Sequence, residues 1–470
     1  MGLKELAKKL PQPLEQAVRY AYGAIPIGVR LGERYRRTRA FLRESQWWSR
    51  EQLEEYQRGQ LHALLNHAYE NVPYYRKVFL DRGLLPTDIR GGEDLCHLPF
   101  LTKAVIRENF DELVATNLPK KRRRYVTTGG TTGIPFGFFH DAELGEPRER
   151  AFMNMQWNRI GFEDGQRRVL LRGNVVRGSE RGRLWQYNPI ENTLIMSVYH
   201  MDDDTLGAYV DRVRRFRPLA IHAYPSAVTI LAKYILSHGI TDLPPLKAVL
   251  CGSENVYEHQ NELIEKAFDC RVFSWYGHSE MVVMAGECEH SSSYHVFPEY
   301  GVLELVDEAG SVLRGPGKRG EIVGTGFNNF VMPLIRYKTE DWAEYDVGEC
   351  ACGRNYPRLK TVEGRWLQET IVGPKGNLIS VTALNMHGDT FDHVEQFQFY
   401  QDTRGKVVLN VVKKATYNSS NSQQIIAQLR EKMGQDMDIE VRFVDTIPRT
   451  TSGKWRFLIQ KLPIDGDGFD

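Results

Sequence analysis

Residues 125–135 read YVTTGGTTGIP, and residues 447–456 read IPRTTSGKWR. The first stretch is a loop of glycines and hydroxyls with almost no bulk, entered from the β-prone run Arg124, Tyr125 and Val126. Such a loop can wrap exposed backbone N–H groups and threonine hydroxyls around phosphate oxygens. Its candidate contacts are Thr127, Thr128, Gly129, Gly130, Thr131, Thr132 and Gly133. A plain polar turn has the same composition, so the loop alone does not decide. A Walker P-loop is excluded, because Ile134 stands five residues after Gly129 and no lysine follows. The second stretch presents one lysine, Lys454, on a short Ser-Gly turn. An anion cradle and a distant, mobile cation are the two parts a nucleotide-dependent activation reaction requires.

Bulk properties permit this reading. The 470 residues suit two or more domains with a large core. Lys and Arg number 61 against 60 Asp and Glu, so no global charge drives the chain toward nucleic acid or anionic membrane. No apolar run is long enough to predict a membrane-spanning helix. Lys4, Glu5, Lys8 and Lys9 interrupt any signal-peptide core. The expectation is a cytoplasmic protein whose six cysteines are reduced or hold metal.

Residues 1–115 read as mostly helical, with Leu53, Tyr56, Leu61, Leu64, Leu65 and Ala68 near helical spacing and Pro73 marking an end. Residues 30–43 are rich in arginine, which fits a solvated helix face or a patch for an acidic partner or membrane surface. From Val169 to Val323 apolar runs (Val169–Leu171, Leu219–Ala223, Ala248–Cys251, Val272–Trp275) alternate with helical segments, predicting parallel sheets covered by helices. After Arg365 the pattern restarts with strands Val407–Val412 and Ile439–Val444 and a helix Ser422–Met433. A boundary within 364–369 divides a large N-terminal domain, 1–364, from a C-terminal one, 365–470.

Five motifs in order, TTGGTTGIP (127–135), YGHSE (276–280), IRYKTEDW (335–342), Gly364-Arg365 and TSGK (451–454), resemble those of the adenylate-forming ligases that include acyl-CoA synthetases. The segments ESQWWS (44–49), HAYENVPYYRK (67–77) and LPFLTKAVIREN (98–109) are similar to the phenylacetate–CoA ligase-like branch, in particular members associated with capsular polysaccharide biosynthesis. The resemblance covers nearly the whole chain. It implies an α/β fold: a large N-terminal domain of helix-covered sheets and a small mobile α+β C-terminal domain.

Glu280 follows the apolar run Val272–Trp275, and so sits just past a predicted strand end, where open α/β sheets bind ligands. A carboxylate there can hold Mg²⁺ against nucleotide phosphates, the role the resemblance implies; a helix-capping Glu is the plainer alternative. Gly277-His278-Ser279 hints at a hydrolase elbow, but Met281 stands where that motif needs glycine. Asp341 can accept two hydrogen bonds from ribose hydroxyls, as the resemblance implies, or form a surface salt bridge. Glu340 replaces the glycine usual before that Asp and is expected to reshape the turn. The resemblance further assigns Ser253, Glu254, Tyr276, Gly277, His278 and Arg365 to the nucleotide, and His222, Tyr224, Pro225, Ser226 and Gly252 to the acid, although aromatic residues there also suit a core. Leu367 departs from the Asp or Lys usual at the joint, which leaves the pivot within 366–369. Lys454, by the same resemblance, lowers the repulsion between a carboxylate and the α-phosphate of ATP.

Cys350-Ala351-Cys352 with Cys288 and His295 makes a Cys₃His set suited to structural Zn²⁺, and resembles a zinc site of some relatives; His290 is the alternative fourth ligand. Cys96, Cys251 and Cys270 lie in apolar settings and are expected in the core. The combined expectation is activation of a carboxylic acid by ATP and Mg²⁺ to acyl-AMP and pyrophosphate, followed by transfer to coenzyme A. Transfer to an amine is the alternative acceptor chemistry. A non-catalytic scaffold in polysaccharide assembly is the alternative of another class.

Overall fold

The computed structural model describes residues 12–128, 136–364, 369–384, 390–448 and 456–463. Helix Arg50–Asn71 begins at Ser49, whose hydroxyl accepts from the Gln52 N–H while the Gln52 side chain accepts from the Ser49 N–H. This reciprocal cap fixes the start, and Leu53, Leu61, Leu64, Leu65 and Ala68 form the buried stripe that the spacing predicts. Pro73 does more than end the helix. It opens the next one, Pro73–Asp81, where its missing N–H leaves no bond unmade. The arginine-rich segment forms helix Gly32–Ser45, which buries Tyr35, Leu42 and Ser45 while Arg36 and Arg37 pair with Glu33 on the exposed side.

The glycine-rich loop is flanked by an antiparallel pair, β1 (Arg123–Thr128) and β2 (Phe136–Asp141), in register from Arg123–Asp141 to Thr128–Phe136. The expected parallel sheet follows as β3 (Arg168–Leu171), β4 (Trp185–Asn188), β5 (Thr193–Met196), β6 (Ala220–Ala223), β7 (Ala248–Cys251) and β8 (Val272–Gly277). β5, β3, β6, β7 and β8 lie side by side and parallel, with β4 antiparallel at the edge. β6 and β7 are buried at every residue, as strands covered on both faces must be. The chain passes from one side of β3 to the other between β5 and β6. The carboxyl ends at such a reversal form a crevice open to ligands.

Beyond β8 the same sheet turns antiparallel through β9 (Met284–Gly286), β10 (Tyr294–Val296), β11 (Gly301–Val306), β12 (Val312–Leu313), β13 (Arg319–Gly326), β14 (Tyr337–Tyr345) and β15 (Arg358–Glu363). The order continues from β8 as β9, β10, β15, β14, β13, β11, β12, for thirteen strands among the described residues. In a flat sheet β14 would stand about 19 Å from β8, at ~4.8 Å per strand. The Tyr276 hydroxyl of β8 nevertheless donates to Asp341 of β14 at 2.9 Å. The antiparallel half is therefore strongly curled, and register shifts at Glu321/Val323 and Glu344/Tyr345 help to bend it.

The C-terminal unit is smaller and mixed, as expected. It holds a ribbon of β16 (Thr370–Val372) and β17 (Leu378–Ser380), and then a sheet of β18 (Val394–Thr403), β19 (Lys406–Lys413), β20 (Asp438–Phe443) and β21 (Leu458–Gln460). Helix Ser419–Met433 buries Ile425, Leu429 and Met433 in the same cluster as Val407, Leu409 and Val411 of β19. Ile371, Ile379, Val381 and Ala383 extend that cluster to Val169, Leu194 and Ile221 of the large sheet. Residues 365–368, where the joint is expected, lie outside the described residues.

The curl leaves no space at Gly301, where a Cβ would meet the carbonyl oxygens of Val282 at 2.4 Å and Thr325 at 2.6 Å. Gly301→Ala is expected to cost about 3 kcal/mol or more in chemical denaturation, since backbone cannot yield as a side chain does. Gly59 lies within helix Arg50–Asn71, and a Cβ added there would meet nothing within 4 Å. Gly59→Ala is expected to stabilise by about 0.5–1 kcal/mol in the same measurement.

Candidate active site and metal centre

Leu171, Ala223, Cys251 and Ser274 are register partners across β3, β6, β7 and β8. The residues just past β3, β6 and β7, namely Arg172, Tyr224 and Gly252 to Glu254, therefore share one edge with the longer end of β8, Tyr276 to Glu280. Glu280 lies in a turn and is buried. Tyr337 of β14 donates to its Oε1 at 2.7 Å, and His278 Nδ1 lies 3.3 Å from its Oε2. Burial alone disfavours the charge, but His278, Lys103 and Tyr337 outweigh it and hold the carboxyl well below the usual range. The group stays ionised, as a divalent-cation ligand must. Across β2, His140 Nε2 donates to the Ser279 carbonyl at 2.6 Å, which ties the hairpin of the glycine-rich loop to the Glu280 turn.

Asp341 is buried rather than on the surface, and one of its oxygens is turned to the Tyr276 hydroxyl. The turn before it is set by Glu340, whose φ of 65° is the left-handed conformation that glycine adopts freely. The substitution thus keeps a glycine-type backbone, at a cost of about 1–2 kcal/mol. The Glu340 N–H donates to Glu321 Oε1 at 3.1 Å, and its carboxylate lies 3.2 Å from Lys103 Nζ.

Gly252 is required by close approach, since a Cβ would lie 2.5 Å from Trp275 Nε1. Gly277 is similarly closed off by the Trp275 ring at 2.9 Å. Ser253 follows with φ of 70°, a strained position of the kind found where ligands bind. Glu254 is buried and accepts from the Ser226 N–H (3.0 Å), the Ser226 hydroxyl (3.1 Å) and the Ser380 hydroxyl (2.6 Å). Its side chain thus braces the strand-end loops against the C-terminal unit. Tyr224 and Pro225 lead into helix Pro225–Ser237. His222 is buried within β6, where burial first, and then Arg172, Arg168 and Arg150, push its pKa well down and keep it neutral. Thr127 and Thr128 end β1, Thr127 buried. Gly129, Gly130, Thr131, Thr132, Gly133, Arg365 and Lys454 lie outside the described residues.

Two residues of this region escape the sequence reading. Arg172 is the first residue after β3, equivalent in register to Tyr224 and Gly252, which is the signal that would have found it. Glu149 lies in helix Gly145–Asn158, hydrogen-bonded to Tyr300, and carries no motif.

The four expected zinc ligands converge. The ligand atoms of Cys288, His295, Cys350 and Cys352 all lie within 4.8 Å of one another. Cys288 and Cys350 sulfurs are 3.5 Å apart, far beyond a disulfide and near the ~3.8 Å of two thiolates on tetrahedral zinc. His295 Nδ1 donates to the Ser293 carbonyl at 3.2 Å, leaving Nε2 turned to Cys352 Sγ at 3.3 Å. That backbone partner fixes the ring as second-sphere contacts do. Burial and then Arg159 lower the His295 pKa to about 4, so the ring is a neutral donor. His290 is exposed, and only its backbone N–H reaches Cys288. Cys251 is buried as expected and Cys270 partly so, whereas Cys96 is exposed because its short 3₁₀ turn buries Leu95 instead.

Residues 371–461 match the CapK C-terminal domain family. Protein CapK of Staphylococcus aureus is 26% identical over 424 residues, covering 87% of this chain and 89% of the relative. The phenylacetate-coenzyme A ligase of Thermus thermophilus is 26% identical over 322 residues, 67% of this chain and 71% of its own. That of Escherichia coli is 24% identical over 419 residues, 85% and 93%. Among solved structures, 2-hydroxyisobutyryl-CoA ligase with 2-HIB-AMP and CoA in the thioesterification state superposes with a TM-score of 0.57 at 19% identity, covering 88% of this chain and 91% of that one. Its open conformation gives 0.53 at 18% identity, covering 87% and 91%. The structural likeness establishes a shared fold. No helix among the described residues is long and apolar enough to cross a membrane.

Glu149 gives a pH test of the site. Burial raises its pKa to about 7, against the lowering effects of Tyr300 and His278. An acid raised above its unfolded value contributes stability that is full below about pH 4 and is lost as pH rises through about 7. Glu149→Gln is expected to flatten the dependence of the unfolding midpoint on pH between about 4 and 7, compared with the unaltered chain in the same buffers. Parallel curves for the two proteins would show that Glu149 does not titrate in this interval.

Proposed function

We propose that this chain, an adenylate-forming ligase related to CapK and to the phenylacetate–coenzyme A ligases, activates a carboxylic acid as acyl-AMP and passes the acyl group to coenzyme A. The observation that carries the reading is the double contact between β8 and β14: Tyr276 to Asp341, and Tyr337 to Glu280. It fixes two carboxylates of different duty at one strand end. Asp341 takes the ribose hydroxyls. Glu280, held ionised, is the residue to hold Mg²⁺, which when bound offsets phosphate charge. The loop 127–133 cradles phosphate, and Gly252 to Glu254 with Tyr276 flank the nucleotide. Gly277 permits the close approach of the strand end, and Arg365 adds a contact at the joint. His222, Tyr224, Pro225 and Ser226 line the acid side.

In the first step a carboxylate oxygen attacks the α-phosphorus of ATP and pyrophosphate leaves. Lys454, from a C-terminal domain spanning 365–470, reduces the repulsion between the two anions. In the second step the thiolate sulfur of coenzyme A attacks the acyl carbon and AMP leaves. Support for a phosphate-bearing acceptor comes from a cavity of about 1280 Å³ between the two units. Arg183, Lys375 and Arg430 contribute to its lining, as do Arg19 and Arg177, which pair with Glu15, and the carboxylates Asp202, Glu431 and Asp436. An amine acceptor is the second outcome that the experiment below distinguishes.

The Cys288, His295, Cys350 and Cys352 set fits Zn²⁺ as a structural ion, since four protein ligands leave no position for substrate. When bound, the metal would tie β9 and β10 to the loop before β15.

Lys454→Ala is expected to lower acid-dependent pyrophosphate release by about a hundredfold or more, while transfer from supplied acyl-AMP survives much better. Equal loss in both assays would overturn the role given to Lys454. Mass spectrometry of the transfer reaction with coenzyme A and an amino sugar in competition is expected to find the thioester; an amide alone would reassign the acceptor. The purified protein is expected to contain close to one zinc per chain by elemental analysis, and the double substitution Cys350→Ser with Cys352→Ser to remove it and lower the melting temperature. A metal-free protein of undiminished stability would show the four residues to be neighbours only.

A further inference from the structure

The acid side of the crevice contains a cation, Arg172, whose partners among the described residues are all neutral. Arg172 lies past the end of β3 and is half-buried. One terminal nitrogen of its guanidinium donates to His222 Nε2 at 3.0 Å, the other to the Ser253 hydroxyl at 2.5 Å, and its carbon lies 4.8 Å from the Tyr224 ring centre. All three partners are uncharged. Below it, Arg150 pairs with Asp164 and Arg168 with Glu191. Among the described residues no carboxylate stands in ion-pair contact with Arg172, and the nearby Glu254 is occupied by Ser226 and Ser380. The contacts to His222, Ser253 and Tyr224 hold the guanidinium in one place and leave N–H donors for a further acceptor.

An arginine oriented in this way by neutral groups is suited to a planar anion, and charge-assisted bonds to carboxylate are among the strongest available. The single carboxylate of a plain aryl or alkyl acid is committed to the α-phosphate, which would leave Arg172 a partly desolvated charge without a counter-ion. Resting on the acid-activating reading above, we propose that Arg172 receives a second anionic group of the substrate, so that the acid activated here is a dianion, a dicarboxylate in the simplest case. Arg172 would then set specificity, and the chemistry at the α-phosphate would be left to other residues.

The test is pyrophosphate release by the full chain with ATP and matched pairs of acids: glutarate against butyrate, adipate against hexanoate, and 4-carboxyphenylacetate against phenylacetate. At least one diacid is expected to exceed its monoacid partner by about tenfold or more in kcat/KM, because a site built to bond a polar group rejects the analogue lacking it. Arg172→Met is expected to erase that preference by raising KM for the diacid, leaving KM for ATP and the rate with the monoacid within about threefold, with partial rescue in Arg172→Lys. The unchanged ATP response also reports that the variant is folded. A preference for monoacids in the unaltered enzyme, or an Arg172→Met defect that is equal for both acids or falls on ATP, would overturn the inference while leaving acid activation intact. No pyrophosphate release with any acid would overturn the activation reading itself.

Discussion

The site depends on a hydrogen bond that a flat sheet would forbid. Tyr276 and Asp341 belong to strands four steps apart in the sheet order, yet their side chains meet at 2.9 Å. The second contact, Tyr337 to Glu280, closes the same gap from the other strand. Both require the antiparallel half to fold back over the end of the parallel half. The glycines at 301, 324 and 326 make this possible, because at each of them a Cβ would strike β13 or the segment at Met281 and Val282 within 2.6 Å. Curvature, close packing and the placing of two carboxylates are one structural fact seen at three scales.

The parallel half contributes something different. β3, β6 and β7 end in register, each sending its next residue to a common edge, and β8 runs three residues further, to Gly277. Arg172, Tyr224, Gly252 and the Tyr276 turn then differ only in chemistry, from cationic to aromatic to small. The anionic groups Glu280 and Asp341 stand at the β8 end of this row and the Arg172 guanidinium at the β3 side. A ligand lying across the row therefore meets opposite charge at its two ends.

Much of this is legible in the sequence, and the reasons are local. Short runs such as Ala248–Cys251 and Val272–Trp275 become strands because apolar side chains dominate them, and Ser274, the one polar residue in the second run, is buried with its neighbours. Cys288, His295, Cys350 and Cys352 can be grouped because few side chains share that chemistry, and their convergence follows from β10 lying between β9 and β15. What is not legible is non-local. Nothing in IRYKTEDW states that its Asp faces a tyrosine sixty-five residues earlier, since that depends on the curl. Arg172 is hidden because one arginine among many has no motif, and only the register marks it out. Cys96 departs from expectation because an apolar neighbourhood in sequence does not fix which face of a 3₁₀ turn is covered. Glu340 departs in the opposite sense. In place of an altered turn it adopts the glycine conformation, because Glu321 and Lys103 hold it there.

Glu254 joins what are otherwise separate bodies. One carboxylate accepts from Ser226 on the helix after β6 and from Ser380 on the C-terminal ribbon. Tyr199 makes a parallel tie, its hydroxyl lying 2.8 Å from both the Gly173 and the Ala383 carbonyls. The strand-end loops and the C-terminal unit therefore share partners, and neither can shift without leaving a polar group of the other short of a bond. Thermodynamic linkage makes that dependence mutual: a ligand that favours the loops as they stand favours the docked unit by the same free energy, and displacing the unit weakens the ligand to match.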